Sequence, residues 1–421
     1  MGAVLIISLL GLLALGVPVG FALWLSGLAG VLIFQVTSLT QIAQSLYSGL
    51  DSFVLLAIPF FILAGNIMLK SGFARYLFDL MQSLVGGVAG GASIGASGAS
   101  AIFGAMTGSS VASAAALGRV MIPAMGDLGY PRPFTAGLMA AGGTLGILIP
   151  PSVTFVIYAE MAQQSVKDLF IAGVVPGLIA AAAIGLVAFA IARRKGYGKR
   201  AEPFSFQRVW QAFVLAGPAL AMPAIVLGGI YLGIFTPTEA AAVSAAYGVL
   251  VGMFVYRTIR LSDLPSIFID SARSTGAILF ILSGALFVGM VATLAGIPDF
   301  IVNAIKALDL SPIGFLLLVN AVLIVLGCFL DGFTLLTVIT PLLLPTVNAL
   351  GINPIHFAIV LTLNIEIAAI TPPIGLNLFV ITGISGTTMQ EVARGCVPFI
   401  FALAAVLLLL TFFPGIALVL L

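Results

Sequence analysis

Charged positions along this chain are so widely spaced that they leave long apolar runs between them. Stretches free of Asp, Glu, Lys and Arg cover residues 52–69, 133–159, 169–192, 209–238, 274–298 and 395–421, each long enough to cross a hydrocarbon core of about 30 Å as a helix. The pattern predicts membrane helices at 3–16, 19–35 and 53–69, a broken span near 134–160 and a further span near 169–192. Residues 36–50 read as a connecting loop. The apolar start, Met1 to Phe34, has no basic segment and no small-residue cleavage site before Pro18, which reads as retained helix rather than a signal peptide.

Sliding the chain against itself exposes a repeat. Pro123 falls on Pro345, Gly129 on Gly351, Ala136 on Ala358, Pro150 and Pro151 on Pro372 and Pro373, and Pro176 on Pro398, all at one displacement (345 − 123 = 222). Three residues less (237 − 18 = 219) brings Pro18 onto Pro237 and FILAG at Phe61–Gly65 onto FILSG at Phe280–Gly284. Most matches are Pro and Gly, which report breaks in the backbone rather than shared apolar composition. Two units follow, 1–200 and 201–421.

The direction of the repeat comes from its basic residues, because cytoplasmic loops hold the excess of Lys and Arg. With Arg193 to Arg200 inside, Lys70 and Arg75 form a cytoplasmic arm, and an odd number of crossings per half inverts the second unit. Its first loop, with Arg257, Arg260 and Arg273, then lies inside. Of the 16 Lys and Arg, only Lys167 and Lys306 are left outside, together with both termini. A parallel repeat loses that asymmetry.

Residues 80–118 carry no charge yet are too many for one crossing, and Gly, Ala and Ser crowd them. Small residues allow close backbone approach, so this region reads as a helical hairpin entering from the cytoplasm and turning at Gly108, Ser109 and Ser110. Its equivalent, 313–345, turns at Asp331, Gly332 and Phe333, opens to the other side, and aligns Asp331 with Ser109. The second device is a proline pair in each half, LIPPS and ITPPIGLN. Two prolines stop a helix and free carbonyls that must find partners inside a membrane. Carbonyls, hydroxyls and a carboxylate suit a hard cation such as sodium, and helix N-termini at the same depth favour an anionic group. Asp331 is the leading cation ligand, since an ionisable group at membrane depth is costly. Thr107, Ser152, Thr154, Gly375 and Asn377, beside the tips and breaks, are candidate substrate contacts. Glu366 reads equally as an interior functional group or a helix-to-helix hydrogen bond, Glu239 as a helix start, and Arg119 as a positive-inside anchor.

Composition agrees: 61% hydrophobic, 7% charged and a mean hydropathy of +1.27 exclude a soluble globular protein, whose charged share is about 25%. Two cysteines without CxxC spacing and a single histidine argue against a transition-metal site. A net charge of +2 gives no reason to expect a nucleic-acid partner. No phosphate loop GxxxxGK[ST] is present, which argues against an ATP-driven pump. GASG at Gly95–Gly98 matches a serine-protease pattern, but that chemistry requires a facing histidine base, and His356 is expected at the start of the second broken span.

The motifs GVPVGFAL, IPFFILAGNIM (Ile58–Met68), GAMTGSSVASAAALG (Gly104–Gly118), LGILIPPS, FTPTEAAA and ITPPIGLN together resemble the large membrane subunit of tripartite ATP-independent periplasmic (TRAP) transporters, over essentially the whole chain. The resemblance implies an all-α polytopic protein of two inverted repeats, each with a re-entrant hairpin and a Pro-Pro broken helix, working as an elevator in the bacterial inner membrane. It implies no enzyme activity, no cofactor, and sodium-coupled uptake of a small organic acid of C4-dicarboxylate or sialic-acid type. The partners it implies are a periplasmic substrate-binding protein and a small four-helix membrane subunit. The sodium sites it implies are Gly108, Ser109 and Ser110 with Pro150 and Pro151, and Asp331 and Gly332 with Thr371, Pro372 and Pro373. A stand-alone sodium/carboxylate symporter, which needs no binding protein, is the alternative.

Overall fold

A computed structural model describes all residues except Met1, Val36, Gly86, 199–203 and Ile374, so Lys199, Arg200 and the junction between the two units lie outside the described residues. No strand occurs among those described. The first half contains α1 (Gly2–Ala14), α2 (Val19–Phe34), α3 (Leu39–Leu50), α4 (Ala57–Lys70), α5 (Phe73–Leu84), α6 (Gly91–Thr107), α7 (Ser110–Asp127), α8 (Arg132–Leu148), α9 (Val153–Ala162) and α10 (Val166–Lys195). The second contains α11 (Phe206–Tyr231), α12 (Pro237–Leu250), α13 (Leu264–Leu294), α14 (Ile297–Ala307), α15 (Pro312–Gly327), α16 (Gly332–Ala349), α17 (Pro354–Ala369), α18 (Leu376–Ser385), α19 (Met389–Phe412) and the short α20 (Gly415–Leu418). Helix α7 maps onto α16 at both ends with the displacement read from the prolines (332 − 110 and 349 − 127, both 222).

Local chemistry sets the boundaries. Thr236 and Glu239 form a capping box that starts α12, and Thr388 and Glu391 do the same for α19. Glu239 is thus a helix-start residue, as its TPTE context suggests. Gly108, Gly196 and Gly386 take left-handed backbone and end α6, α10 and α18. Residues 36–50 are not a plain loop. A Ser38–Gln41 capping box starts α3, and Ile42 and Leu46 on one face pack against α13, where Gly49 meets Leu286. The helix before the break at Asp51 is bent by 60° from α4. An amphipathic helix this short escapes a search for long apolar runs.

Six described helices are each long and apolar enough to cross a membrane, and up to 8 if the two bent pairs count as single spans. Tips and breaks divide the remaining apolar sequence: α17 has 16 residues and α18 has 10.

Contacts between helix ends give the direction of each half. Lys70 bonds Ser266 and Asn66 bonds Ser271, so α4 ends where its repeat equivalent α13 begins, and the two run antiparallel. Along α2, Gly20, Gly27 and Gly30 meet Phe280, Phe287 and Val291 in turn, so α2 runs with α13. Along α12, Thr238 bonds Phe53 O and Gly248 meets Ile67, so α12 runs with α4. Helices α2 and α12, equivalent in the repeat, therefore point in opposite directions, and the repeat is inverted.

Two helices form the centre. Every residue from Thr135 to Leu148 in α8 and from Ile355 to Ala368 in α17 is buried, as expected of helices that are apolar on all faces. Lipid is as apolar as a leucine side chain, so such helices associate through close packing rather than exclusion from water. Glycine supplies the approach. A Cβ on Gly137 would collide with the backbone of Gly395 and lie 2.7 Å from Cys396 N, and one on Gly395 would strike Pro133 O. Helices α8 and α19 thus touch backbone to backbone.

Gly137→Val is expected to destabilise the detergent-solubilised chain by more than the roughly 1–3 kcal/mol typical of overpacking, because rigid backbone faces the new side chain; the melting temperature reads this out. Single cysteines at Ser38 and Ser262, both exposed, in a background lacking Cys328 and Cys396, are expected to react with an impermeant thiol reagent from opposite sides of the membrane.

Candidate functional site

Each hairpin turns at a residue that caps the helix after it. Gly108, at φ +61°, ends α6, and Ser109, in extended backbone, begins α7 with its hydroxyl accepting from Ala112 N at 3.4 Å. Behind the turn, Thr107 and Ser113 share a hydroxyl hydrogen bond of 2.5 Å. Asp331 occupies the equivalent place (331 − 109 = 222) and caps α16: its Oδ1 accepts from Phe333 N at 3.0 Å and Thr334 N at 3.1 Å, and its Oδ2 accepts from the Thr334 hydroxyl. A carboxylate at this position is stabilised by the free amides of the first helical turn. Oδ2 keeps a lone pair for a further ligand.

The proline pairs break the two central helices where the pattern places them. Pro150 and Pro151 separate α8 from α9, which are bent by 41° from each other, and Ser152 starts α9 by accepting from Phe155 N at 3.5 Å. Pro372 and Pro373 separate α17 from α18, and Thr371 returns its hydroxyl to Ile367 O at 2.6 Å. Both Pro-Pro peptide bonds are cis. The first tip rests on the first break, since a Cβ on Gly108 would lie 3.0 Å from Pro151 O and 3.4 Å from Val153 N. Gly332 of the second tip packs against Ile365 on α17. The two sites differ in exposure: Pro150 and Pro151 are buried, whereas Pro372 and Pro373 are exposed.

A hydrogen-bond chain crosses between the halves. Ser110 donates to Glu366 Oε2 at 2.9 Å, and Asn377 donates to Ser110 Oγ at 2.8 Å and to Ala140 O at 3.1 Å. Ser110, Thr154, Asp331, Gly332, Glu366 and Asn377 border one cavity of about 60 Å³. Both tips and the second broken helix therefore meet at one place. A larger cavity of about 560 Å³ runs from Thr107, Gly108 and Ser109 towards Asn66, Arg119 and Ser274. Arg119 is the one ionisable side chain among the described residues lining it.

Of the candidate contacts, Thr107 borders the larger cavity, and Thr154 and Asn377 border the smaller one. Ser152 is buried as a cap, and Gly375, whose Cβ would lie 2.6 Å from Ala369 O, is a close-packing position at the start of α18; neither borders these two cavities. Sequence reasoning missed Asn66 and Ser274 because they sit outside the repeated breaks. The Glu366–Ser110 bond joins residues 256 apart, and the one available signal was a Glu shortly before a proline pair. Ser97 of GASG donates to Ala181 O and His356 bonds Leu410 O, so neither serves the other.

A family model for the tripartite ATP-independent periplasmic transporter, DctM component, matches residues 6–416. The chain belongs to this family. It is 41% identical over 400 residues to the C4-dicarboxylate TRAP transporter large permease protein DctM of Pseudomonas aeruginosa, covering 95% of this chain and 93% of the relative. It is 35% identical over 414 residues to the sialic acid TRAP transporter large permease protein SiaM of Vibrio cholerae, covering 98% and 96%. The fold is also similar to the Alcanivorax borkumensis YdaH transporter, described as having an unusual topology, with a TM-score of 0.63, 14% identity, and coverage of 89% of this chain and 88% of that one. As a DctM-family chain it is a multi-span permease of a bacterial transport system.

Within this DctM-family site, Gly108→Ala is expected to cost roughly 1–2 kcal/mol from the left-handed backbone alone and to push the tip off Pro151. Gly126→Ala, in open space on the same hairpin, is expected to be neutral or slightly stabilising. Melting temperatures of the two variants compared with the parent test the difference.

Proposed function

We propose that this chain is the translocating subunit of a sodium-driven importer for a small organic acid in the bacterial inner membrane. In this reading, residues 1–200 and 201–421 are the two inverted units, the basic end faces the cytoplasm, and both termini face the periplasm. The observation that carries the reading is the meeting of two oppositely directed hairpin tips, one capped by Ser109 and one by Asp331, at one cavity, with the first tip resting on the Pro150–Pro151 break. A carboxylate oxygen with a free lone pair, hydroxyls and interrupted backbone suit a hard cation. Gly108–Ser110 with Pro150 and Pro151 make one sodium site, and Asp331, Gly332, Thr371, Pro372 and Pro373 make the other.

The large cavity suits the cargo. Among the described residues its lining combines the polar Asn66, Thr107, Ser109 and Ser274 with one positive charge, at Arg119, and no carboxylate, which favours an organic anion. The permeases of Pseudomonas aeruginosa and Vibrio cholerae are named for C4-dicarboxylates and sialic acid, and both substrates are acids of this kind. Family membership supports the two partners, a periplasmic binding protein that delivers the acid and a small four-helix membrane subunit. Transport follows as an elevator: the tips and broken helices carry ion and anion past the framework of α2, α4, α12 and α13.

The test is uptake of carboxylates into proteoliposomes containing the chain, the small subunit and the binding protein. Uptake is expected to require an inward sodium gradient. Asp331→Asn should raise the half-saturating sodium concentration about tenfold, equivalent to about 1.4 kcal/mol of ion binding, and Ser109→Ala should have a smaller effect because a hydroxyl offers a dipole rather than a charge. Sodium-independent uptake, or an unchanged sodium response in Asp331→Asn, sinks the reading. Full uptake without the binding protein favours a stand-alone symporter.

A further inference from the structure

Once the tips and breaks are accounted for, one buried carboxylate is left over. Glu366 is 1% exposed; its Oε2 accepts the Ser110 hydroxyl, and its Oε1 has no partner. Asn377, fully buried, uses its amide nitrogen on Ser110 and Ala140 O, and its Oδ1 is also without a partner. Both residues border the cavity of about 60 Å³, a space on the scale of an ion with a few waters.

Among the described residues, no Lys, Arg or His borders this cavity, and Asp331 is the other carboxylate there. Elsewhere on the helices packed against α17, Tyr158 bonds Pro354 O, His356 bonds Leu410 O, Glu160 accepts from Ser52, and Cys396 bonds Gly137 O. Lys167 bonds Tyr231 O, Glu391 caps α19 at the surface, and Arg132, Asp168, Arg193, Arg194, Lys195 and Arg394 lie at helix ends. None of these neutralises Glu366. The oxygens of Asp331 already accept two amides and a hydroxyl, so the charge without compensation at this place is a single one. Isolated buried charge is unfavourable and is met by pairing or neutralisation.

We propose that Glu366, Asn377 and Ser110 form a site for one small monovalent cation, a proton or a sodium ion, additional to the ions at the tips, with Ser110 shared between it and the first tip. Glu366 Oε1 and Asn377 Oδ1 are its two free oxygens. Ser110 belongs to the hairpin of the first half and the other two residues to the broken helix of the second, so the occupant ties one half to the other. The inference goes beyond the reading above, and its test needs no transport.

The experiment uses the full chain in lipid nanodiscs, with radioactive sodium to count bound ions and infrared spectroscopy to detect a protonated carboxyl. If the occupant is sodium, Glu366→Gln loses one bound ion per chain, and Asn377→Ala keeps the count with affinity at least tenfold weaker. If it is a proton, the parent shows a protonated-carboxyl band that Glu366→Gln abolishes, Asn377→Ala shifts, and Asp331→Asn leaves in place. A folded Glu366→Gln with an unchanged sodium count and an unchanged spectrum overturns the site. Should that variant fail to fold, unchanged affinity and an unchanged band in Asn377→Ala overturn it equally. Loss of sodium-driven uptake as a property of the parent would defeat the transport reading alone and leave this binding result standing.

Discussion

A backbone amide or carbonyl without a partner is intolerable in hydrocarbon, and this fold breaks its two most central helices there. Pro150–Pro151 interrupts α8–α9 and Pro372–Pro373 interrupts α17–α18, and α8 and α17 are the two helices that are buried along almost their whole length. The surrounding structure answers that interruption. Hairpin α6–α7 delivers Gly108 to the carbonyl of Pro151 and the first break is buried in protein, while hairpin α15–α16 delivers Gly332 to α17 and leaves Pro372 and Pro373 exposed.

Enclosure requires close approach, which explains the composition of the first hairpin and of α8. Gly104 faces the backbone of Leu145 and Gly146, Gly143 faces Ala114, and Gly146 lies against Ser109 O. Larger residues at these positions would separate α6, α7 and α8 and open the first break. The second half reaches the same arrangement with more bulk: α16 carries Pro341 and Pro345 and larger apolar side chains, and its break is the more exposed of the two. Identical topology thus yields a tight site and a looser one.

Many polar groups in the centre are engaged, although Thr362 Oγ1 and Asn364 Oδ1 on α17 have no hydrogen-bond partner. Capping consumes Ser109, Ser152 and most of Asp331, and helix-internal bonds consume Thr144, Thr340 and Thr371. Among the free oxygens, those of Glu366 and Asn377 are on residues that border the small cavity. Arg119, the single ionisable residue among the described residues lining the large cavity, carries charge of the opposite sign, so the two cavities offer environments of opposite preference on either side of the first tip.

The sequence by itself determined the architecture, because prolines, glycines and sparse charges act locally. A proline pair ends a helix wherever it lies, a glycine permits a left-handed turn, and a 222-residue displacement is visible without coordinates (345 − 123). Turns at Gly108 and Asp331, the breaks, the capping role of Glu239 and the inversion of the halves all follow from such signals. Helix α3 escaped because its apolar face is short and amphipathic rather than a long run. Only the tertiary structure decided which polar groups meet. That Ser110 reaches Glu366 and Asn377, that Arg119 faces a cavity instead of serving only as an anchor, and that Ser152 and Gly375 turn to packing depend on how helices distant in sequence cross. Those crossings are set by backbone contacts such as Gly137 on Gly395, and no periodicity along a single chain encodes the partner.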